Sequence, residues 1–401
     1  MIYVLLAHGI SPKYPARAMT GLSIGVNAHL LSFVPGYRRA GISQYTEQIV
    51  RHLMETLPRS NDGLTIFAGP GALPDGYVPD GVRWVPSRLP TGQAPGRILW
   101  EQIVAPVATT QAHLDVLFCP VNVVPLAGPV PSVVTVHDLA FLAYPEAFHA
   151  AKRWYLTAMT RLSVRRARHI IAVSAHTRDD LVHHFGVRPE RVTVIPNAAD
   201  ERYRPADDAD AITRFKAANT LPDRFILFVG TVEPRKNLRR LIEAFALLSD
   251  NNPDVKLVIV GASGWLTSDL APLVQSRGLS NRIIFTGYVS DDELPRWYQA
   301  ATVFCYPSLY EGFGLPVLEA MACGTPVVTS RTSSLPEVAG DAALLVDPTD
   351  VRGLADALQA LLADDARRQA MSEAGIARSH AYSWERTAAA TLTVIRDAAR
   401  H

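Results

Sequence analysis

Arg235 and Lys236 stand in GTVEPRKNLRRLIEAF, directly ahead of a run in which Leu238, Leu241, Ile242, Phe245 and Leu248 recur at helical spacing. Two cations at the positive end of a helix starting near Asn237 repel it unless an anion sits among them, and a phosphate or diphosphate is an anion of the required kind. A second loop offers the rest of such a site. PSLYEGFGLPVLEAMACG follows the apolar run TVFCY; Gly312 and Gly314 allow close backbone approach, and Pro316 suits the first turn of a helix. A glycine loop opening onto free helix N–H groups binds anions. Glu311 and Glu319 flank that loop. Carboxylates beside a phosphate site are repulsive unless they do something else, and hydrogen-bonding sugar hydroxyls is suitable employment. For Glu319 the alternative is stabilisation of the helix dipole.

His137 and Asp138 close the apolar run SVVTV. In an open parallel sheet ligands bind beyond the carboxyl ends of the strands, which makes His137 a candidate; a buried, satisfied imidazole is the other reading, and Asp138 reads more simply as orienting backbone. The loop GYRRAGISQY brings the amides of Gly41, Ile42 and Ser43 toward such an edge, and Ser43 is a suitable N-cap.

The elements that must position these residues alternate. Strands are predicted at 22–27, 64–67, 116–118, 132–136 and 169–173, with helices at 43–57 and from Ser174 to about 186. Beyond residue 211 strands at 225–229, 255–260, 282–285, 302–306 and 326–330 alternate with helices at 237–249, 267–277, 291–300 and 316–322, and helices at 350–363, 365–379 and 384–399 close the chain. This is the pattern of an α/β protein with parallel sheets covered on both faces. At 401 residues and 48% hydrophobic content there is material for two such cores. The polar stretch DERYRPADDADA, 200–211, is the expected boundary: a first domain over 1–204, a second over 205–383, and a last helix, 384–401, that packs back on the first. Residues 1–18 sit awkwardly before the first strand and read as an extra leader, with Met19 as the start.

Net charge is +1, but unevenly placed: 20 Lys+Arg against 14 Asp+Glu up to Arg204, and 19 against 24 beyond. The run 151–169 has six Lys or Arg and no acid, beside Trp154 and Tyr155; it reads either as a solvated helix face or as a surface for an anionic membrane or a lipid diphosphate. Nothing indicates a nucleic-acid partner. Cys119, Cys305 and Cys323 are odd in number and widely spaced, as in a reducing compartment, and MIYVLLA is too short and uncharged for a signal peptide, so a cytoplasmic location is expected, with association at the inner face of the plasma membrane. The uncharged run 116–136 contains four prolines and reads as strand, loop, strand rather than a membrane span. DDAD at 207–210 resembles a metal cluster but has no His partner and reads as a solvated connector, and SDDE at 290–293 reads as helix capping. No metal site is expected.

GTVEPRKNL, EGFGLPVLE, ACGTPVV and LPEVAGDAALLVDP resemble the donor half of the retaining GT-B glycosyltransferases of family four, the glycosyltransferase group one type. HDLAF, AVSAHTRDDL and VIPNAAD are similar to their acceptor half and linker, so the resemblance runs from about residue 22 to the end. It implies two Rossmann-like doubly wound domains facing each other across a cleft. It implies that Arg235 and Lys236 hold the donor diphosphate, Glu311 the transferred sugar and Glu319 the ribose, while Gly314 and Leu315 offer amides to the phosphates. Gly230, Gly312 and Phe313 join Gly41, Ser43 and Asp138 as substrate-binding candidates, and His137 is placed close to the transferred sugar, where it stabilises the transition state. Ser43 stands where relatives often have glycine. The implied reaction moves a hexosyl unit from a nucleotide diphosphate sugar to a hydroxyl of a glycan or lipid-diphosphate-linked acceptor in cell-surface polysaccharide synthesis. No cofactor is implied beyond that co-substrate, with GDP-mannose the first choice. A nucleotide-sugar epimerase and a non-catalytic sugar-nucleotide sensor are the alternatives. An NAD-dependent oxidoreductase lacks its GxGxxG, since VGASGW supplies only Gly261 and Gly264.

Overall fold

In the computed structural model, residues 21–33, 41–57, 60–71, 73–74, 76–262 and 270–400 are described. The expected leader and Met19, Gly36, Arg38 and Arg39 of the glycine loop, Gly264 and the first residues of the helix expected at 267–277 lie outside them.

The chain forms two compact units. One comprises the residues up to Leu139, Trp154–Pro196 and the segment from Trp384; the other comprises Ala140–Arg153 and Asn197–Ser383. The first unit carries a seven-stranded parallel sheet of β1 (Ser23–Ala28), β2 (Gly63–Ala68), β3 (Val82–Pro86), β4 (Val116–Cys119), β5 (Ser132–Val136), β6 (His169–Ala172) and β7 (Val192–Val194), in the order β3-β2-β1-β4-β5-β6-β7. The central strands VLFC and SVVTV are buried at every position, as strands covered on both faces must be. One cover is the helix Ile42–Thr56, which buries Tyr45, Ile49 and Leu53 one turn apart. The helix Trp384–Arg400 packs beside it: the Tyr45 and Trp384 rings lie 6.0 Å apart, Thr387 Oγ1 donates to Pro196 O at 2.7 Å, and Arg396 Nη2 meets Asp62 Oδ2 at 2.6 Å.

The second unit carries a six-stranded parallel sheet of β8 (Phe225–Val229), β9 (Lys256–Val260), β10 (Ile283–Gly287), β11 (Val303–Tyr306), β12 (Val327–Ser330) and β13 (Ala343–Val346), in the order β10-β9-β8-β11-β12-β13. Its strand order reverses between β8 and β11. The crevice outside the carboxyl ends at such a reversal is where open sheets bind ligands. The loops leaving those two strands are the ones that carry Arg235, Lys236 and Glu311.

Several expectations are corrected. β3, β7 and β13 were not expected; VRWVP, VTV and ALLV are short and lie near the ends of their sheets, too brief for a clear alternation. The helices Ala94–Leu99 and Ala105–Gln111, joined by a π turn at Trp100–Val104, were also missed, because Pro95, Gly96 and Pro106 obscure their period. DDAD is not a connector: Asp208 caps the helix Ala209–Ala218 by accepting from Asp210 N at 2.8 Å, and Phe215 of that helix meets Trp297 edge-on at 5.3 Å. The helix expected from Asn237 starts at Leu238, and both cations sit on the preceding 3-10 turn, Pro234–Lys236. Ser43 is not the N-cap. Gly41 holds that position with φ 61°, while Ser43 Oγ accepts from Ser32 N at 3.1 Å. SDDE forms the turn before the helix Leu294–Ala300, where Ser290 Oγ accepts from Glu293 N, and the helix itself has no side-chain cap. As expected, residues 116–136 are strand, loop and strand, and among the described residues no helix is long and apolar enough to cross a membrane.

Gly261 of VGASGW has a structural role: at φ 148° it lets the chain leaving β9 pass the one leaving β8, and a Cβ there would lie 2.0 Å from Gly230 O. Gly261→Ala is therefore expected to cost the second unit at least about 2 kcal/mol, through backbone strain and displacement of the Gly230 loop. Chemical denaturation followed by far-UV circular dichroism measures it; an unchanged midpoint would show that the two strand exits are not locked together.

Candidate active site

The second unit gathers its candidates around one carboxylate. Glu311 Oε1 accepts from Lys236 Nζ at 2.7 Å, from Tyr306 Oη at 3.0 Å and from Ser308 Oγ at 2.6 Å, while Arg235 Nη1 lies 2.9 Å from Oε2. Arg235 Nη2 also meets Glu233 Oε1 at 2.7 Å, and Lys236 donates to Tyr306 Oη. The anions at the cationic turn are thus, within the protein itself, Glu311 and Glu233. Lys236, Glu233 and Glu311 are all buried, so two cations and two carboxylates form a group with no net charge. Burial alone would raise the Glu311 pKa, but Arg235, Lys236 and the hydrogen bonds from Lys236 and Ser308 overcome it and hold the pKa down to about 2. Burial, then the neighbouring guanidinium of Arg235, lowers that of Lys236.

The two loops that meet here are tied through Asn237. With φ 62° it adopts the left-handed conformation, and its Nδ2 donates to Pro307 O at 2.9 Å and Pro348 O at 2.7 Å. Leu309 N donates to Arg235 O at 2.9 Å. From the other side, Ser333 Oγ accepts from Glu311 N at 3.0 Å, and Ser334 Oγ bonds Glu311 O at 2.9 Å and Phe313 O at 2.7 Å. Gly312 lies within this buried turn. The Phe313 ring packs edge-on against Tyr382 at 5.8 Å.

Gly314, at φ 109°, opens the helix Leu315–Ala322 without any side-chain cap, and a Cβ there would lie 2.7 Å from Leu335 Cδ2. Only glycine fits that turn, and the helix N-terminus it exposes attracts negative charge. Glu319, on the same helix, is buried and accepts from Tyr298 Oη at 2.9 Å. Burial raises its pKa to about 7, with Asp291 and Asp200 adding to the rise and hydrogen bonds from Tyr298 and Tyr203 opposing it. Because the helix starts at Leu315, Glu319 lies past its first turn, where the helix dipole has little hold on it. Gly230, at φ 150°, follows β8 and starts the cationic loop.

The first unit places His137 at the carboxyl end of β5. Its Nε2 lies 2.7 Å from Pro120 O, and because a carbonyl only accepts, Nε2 carries the proton and Nδ1 presents the lone pair of the neutral ring. Burial lowers its pKa, against the Pro120 bond and Asp138, so the neutral form prevails at pH 7. Tyr45 from the helix that Gly41 opens meets the ring edge-on at 4.7 Å. Asn122 spans the turn: His137 N donates to its Oδ1 at 3.3 Å and its Nδ2 donates to Asp138 O at 3.4 Å. Asp138 takes part in the turn through its main-chain carbonyl.

Sequence reasoning missed Glu233, Tyr306, Ser308, Asn237, Tyr298 and Asn122 as parts of these sites. Glu233 and Asn237 lay within the very loop that supplied the cations, and Tyr306 closes the strand before the glycine loop; the signal was polarity at strand ends. Asn122 and Tyr298 gave none.

The family model for glycosyl transferases group 1 matches residues 210–378, and that for glycosyltransferase family 4 matches 46–203. The O-antigen chain mannosyltransferase B of Escherichia coli is 35% identical over 266 residues, covering 66% of this chain and 70% of that protein. The chain belongs to the group 1, family 4 glycosyltransferases. A serotype-specific mannosyltransferase WbdA of Escherichia coli is 34% identical over 264 residues, of which it is the longer partner: the match spans 64% of this chain and 32% of that one. The solved structure of Anabaena HepE in complex with UDP-glucose superposes with a TM-score of 0.69 at 20% identity, covering 93% of this chain and 99% of that one. Two Rossmann-like parallel-sheet units in one chain are the GT-B fold of this glycosyltransferase family.

Opposite pH signatures are expected from the two carboxyls of this glycosyltransferase. Glu319, raised to about 7, contributes stability that is full below pH 4.5 and is lost as pH rises through about 7; Glu311, depressed to about 2, contributes stability present above pH 4.5 and lost as pH falls toward 2. Stability of the wild type minus that of Glu319→Gln should fall, by on the order of 3 kcal/mol, between pH 4.5 and 7 and then level off. The same difference for Glu311→Gln should grow from pH 2 to 4.5. Urea titrations at several pH values read both, and slopes of the same sign for the two would contradict the assignment.

Proposed function

We propose that this glycosyltransferase moves a mannosyl unit, with retention of configuration and without a metal, from GDP-mannose to a hydroxyl of a glycan or lipid-diphosphate-linked acceptor. The observation that carries the reading is the buried group of Arg235, Lys236 and Glu311 at the β8/β11 reversal, beside an uncapped helix N-terminus. Arg235 and Lys236 take up charge growing on the leaving diphosphate, together with the amides at Gly314 and Leu315. Glu311 positions the transferred sugar, Glu319 accepts from the ribose hydroxyls, and Gly230, Gly312 and Phe313 line the loops by main chain.

Retention is what the family resemblance implies, and Glu311 bears only on the route to it. A double displacement needs a nucleophilic carboxylate about 5 Å from an acid partner. Glu311 spends its lone pairs on Lys236, Tyr306, Ser308 and Arg235, and its depressed pKa makes it a poor nucleophile. In front-face departure the sugar C1–phosphate oxygen bond breaks while the acceptor oxygen bonds C1 on the same face. The acceptor's proton passes to the leaving diphosphate. The cations stabilise that diphosphate, and His137, neutral with Nδ1 open, stabilises the sugar's developing charge. Gly41, Ser43 and Asp138 shape the acceptor side.

Mannose is supported by the names of the relatives from Escherichia coli, and a nucleotide-sugar donor by the UDP-glucose complex of the HepE structure. Anionic membrane contact through 151–169 is supported by the helix Ala150–Arg166, where Lys152, Arg153, Arg161 and Arg165 are exposed and Trp154 is 74% exposed.

Each charge-assisted bond to the diphosphate contributes roughly 1.5 to 3 kcal/mol, about tenfold to a hundredfold in rate. Arg235→Ala and Lys236→Ala should each lose at least tenfold in kcat with GDP-mannose while keeping a folded circular dichroism spectrum. Wild-type turnover in both would refute the diphosphate assignment.

A further inference from the structure

The first unit holds a second group of buried polar side chains. β1 and β4 are the neighbours at which its strand order reverses, and at their carboxyl ends lie Asn27, His29 and Cys119. Beside them stands the π turn Trp100–Val104, a departure from α-helix that occurs frequently at functional sites. The Trp100 and His29 rings lie 3.9 Å apart, centroid to centroid. His29 is 3% exposed and Glu101 is 4% exposed. His29 Nδ1 bonds Thr91 Oγ1 at 3.1 Å, while His29 Nε2 and Glu101 Oε2 are buried without a hydrogen-bond partner among the described residues. One orphaned buried polar atom costs roughly 1 to 3 kcal/mol, so two in one cluster mark a place built for a partner.

The chemistry narrows that partner. Arg97 Nε stands 3.9 Å from Glu101 Oε1, which disfavours a cation, and the Glu101 carboxyl disfavours an anion. His29 Nε2 is donor or acceptor according to which way the Thr91 bond runs, and a carboxyl donates or accepts according to its proton. A hydroxyl satisfies every one of those states, since it both donates and accepts. β1 and β5 flank β4, so this cluster lies two strand spacings, about 10 Å, from the strand that ends at His137. That offset suits an acceptor sugar whose reacting hydroxyl is at His137.

We propose that Glu101 and His29 form an acceptor subsite that binds two hydroxyls of a neutral sugar, with the Trp100–Val104 turn shifting to admit them. The proposal rests on the glycosyl-acceptor reading above. Burial pushes the Glu101 pKa up to about 7, against Arg97 and Asn27, so both of its protonation states are accessible near neutrality. His29 stays neutral, because burial, then Arg97, lowers its pKa to about 3.

Saturation-transfer NMR on the full chain tests this, with methyl α-mannoside, methyl α-glucoside, methyl α-galactoside and GDP as probes. At least one glycoside should bind the wild type, and its Kd should rise at least tenfold in Glu101→Gln and in His29→Gln, while the GDP Kd changes less than twofold. A purely structural role would move both ligands together or neither. Unchanged glycoside affinity in the variants, or no glycoside bound by the wild type, would overturn the subsite and leave the donor reading intact. Absence of GDP binding would instead overturn the donor reading, and the glycosides would still decide this one. Should the variants fail to fold, hydrogen exchange on the wild type decides: saturating glycoside should protect the Trp100–Val104 amides, and no protection would overturn the proposal.

Discussion

The site in the second unit depends on keeping one buried carboxylate ionised. Glu311 accepts from two cations and two hydroxyls, and without them burial would drive it to the neutral acid. The same contacts hold Arg235 and Lys236 in place, so the cations stay ordered without a ligand and little side-chain entropy remains to be lost when one arrives. Neutrality matters as much as order. Two cations facing one another at the start of a helix would be expensive to bury, whereas a balanced group of four is not. On the reading proposed above, an entering diphosphate would add charge to that group and redistribute the existing pairs.

Backbone features make that arrangement reachable. The 3-10 turn, the left-handed Asn237 and the uncapped glycine turn at Gly314 each sit at the exit of a strand beside the β8/β11 reversal. β8 and β11 are apolar and buried along their length, so their ends are fixed points, and the loops need only span from one to the next. The first unit applies the same logic differently. There a main-chain carbonyl, that of Pro120, fixes the tautomer of His137, and Asn122 fixes the turn.

Much of this was legible in the sequence because chemistry and backbone coincide there. Glycines at 312 and 314 beside Glu311, and cations directly ahead of a periodic apolar run, announce loops at strand exits; the long apolar strands and the amphipathic helices follow from period alone. What escaped was set by tertiary contact. Nothing local says that Tyr306 and Ser308 would turn onto Glu311, or that the cations would pair with it rather than wait for a ligand. Asn237 looked like a helix start because its neighbours are helical, while its left-handed φ answers to carbonyls at Pro307 and Pro348, far along the chain. DDAD is solvated as expected, but it looked like a connector because the helix that Asp208 caps is short and polar. The π turn at Trp100–Val104 lay between prolines and glycine that hid any period.

The central claim is that Arg235 and Lys236 bind the diphosphate itself. Calorimetric titration of GDP and of guanosine into the wild type, Arg235→Ala, Lys236→Ala and the double variant isolates it as a cycle between protein and phosphate. The account predicts that the affinity advantage of GDP over guanosine falls by at least about tenfold in each single variant. It predicts that guanosine binding itself is unchanged. An advantage of GDP that survives in the double variant would contradict it.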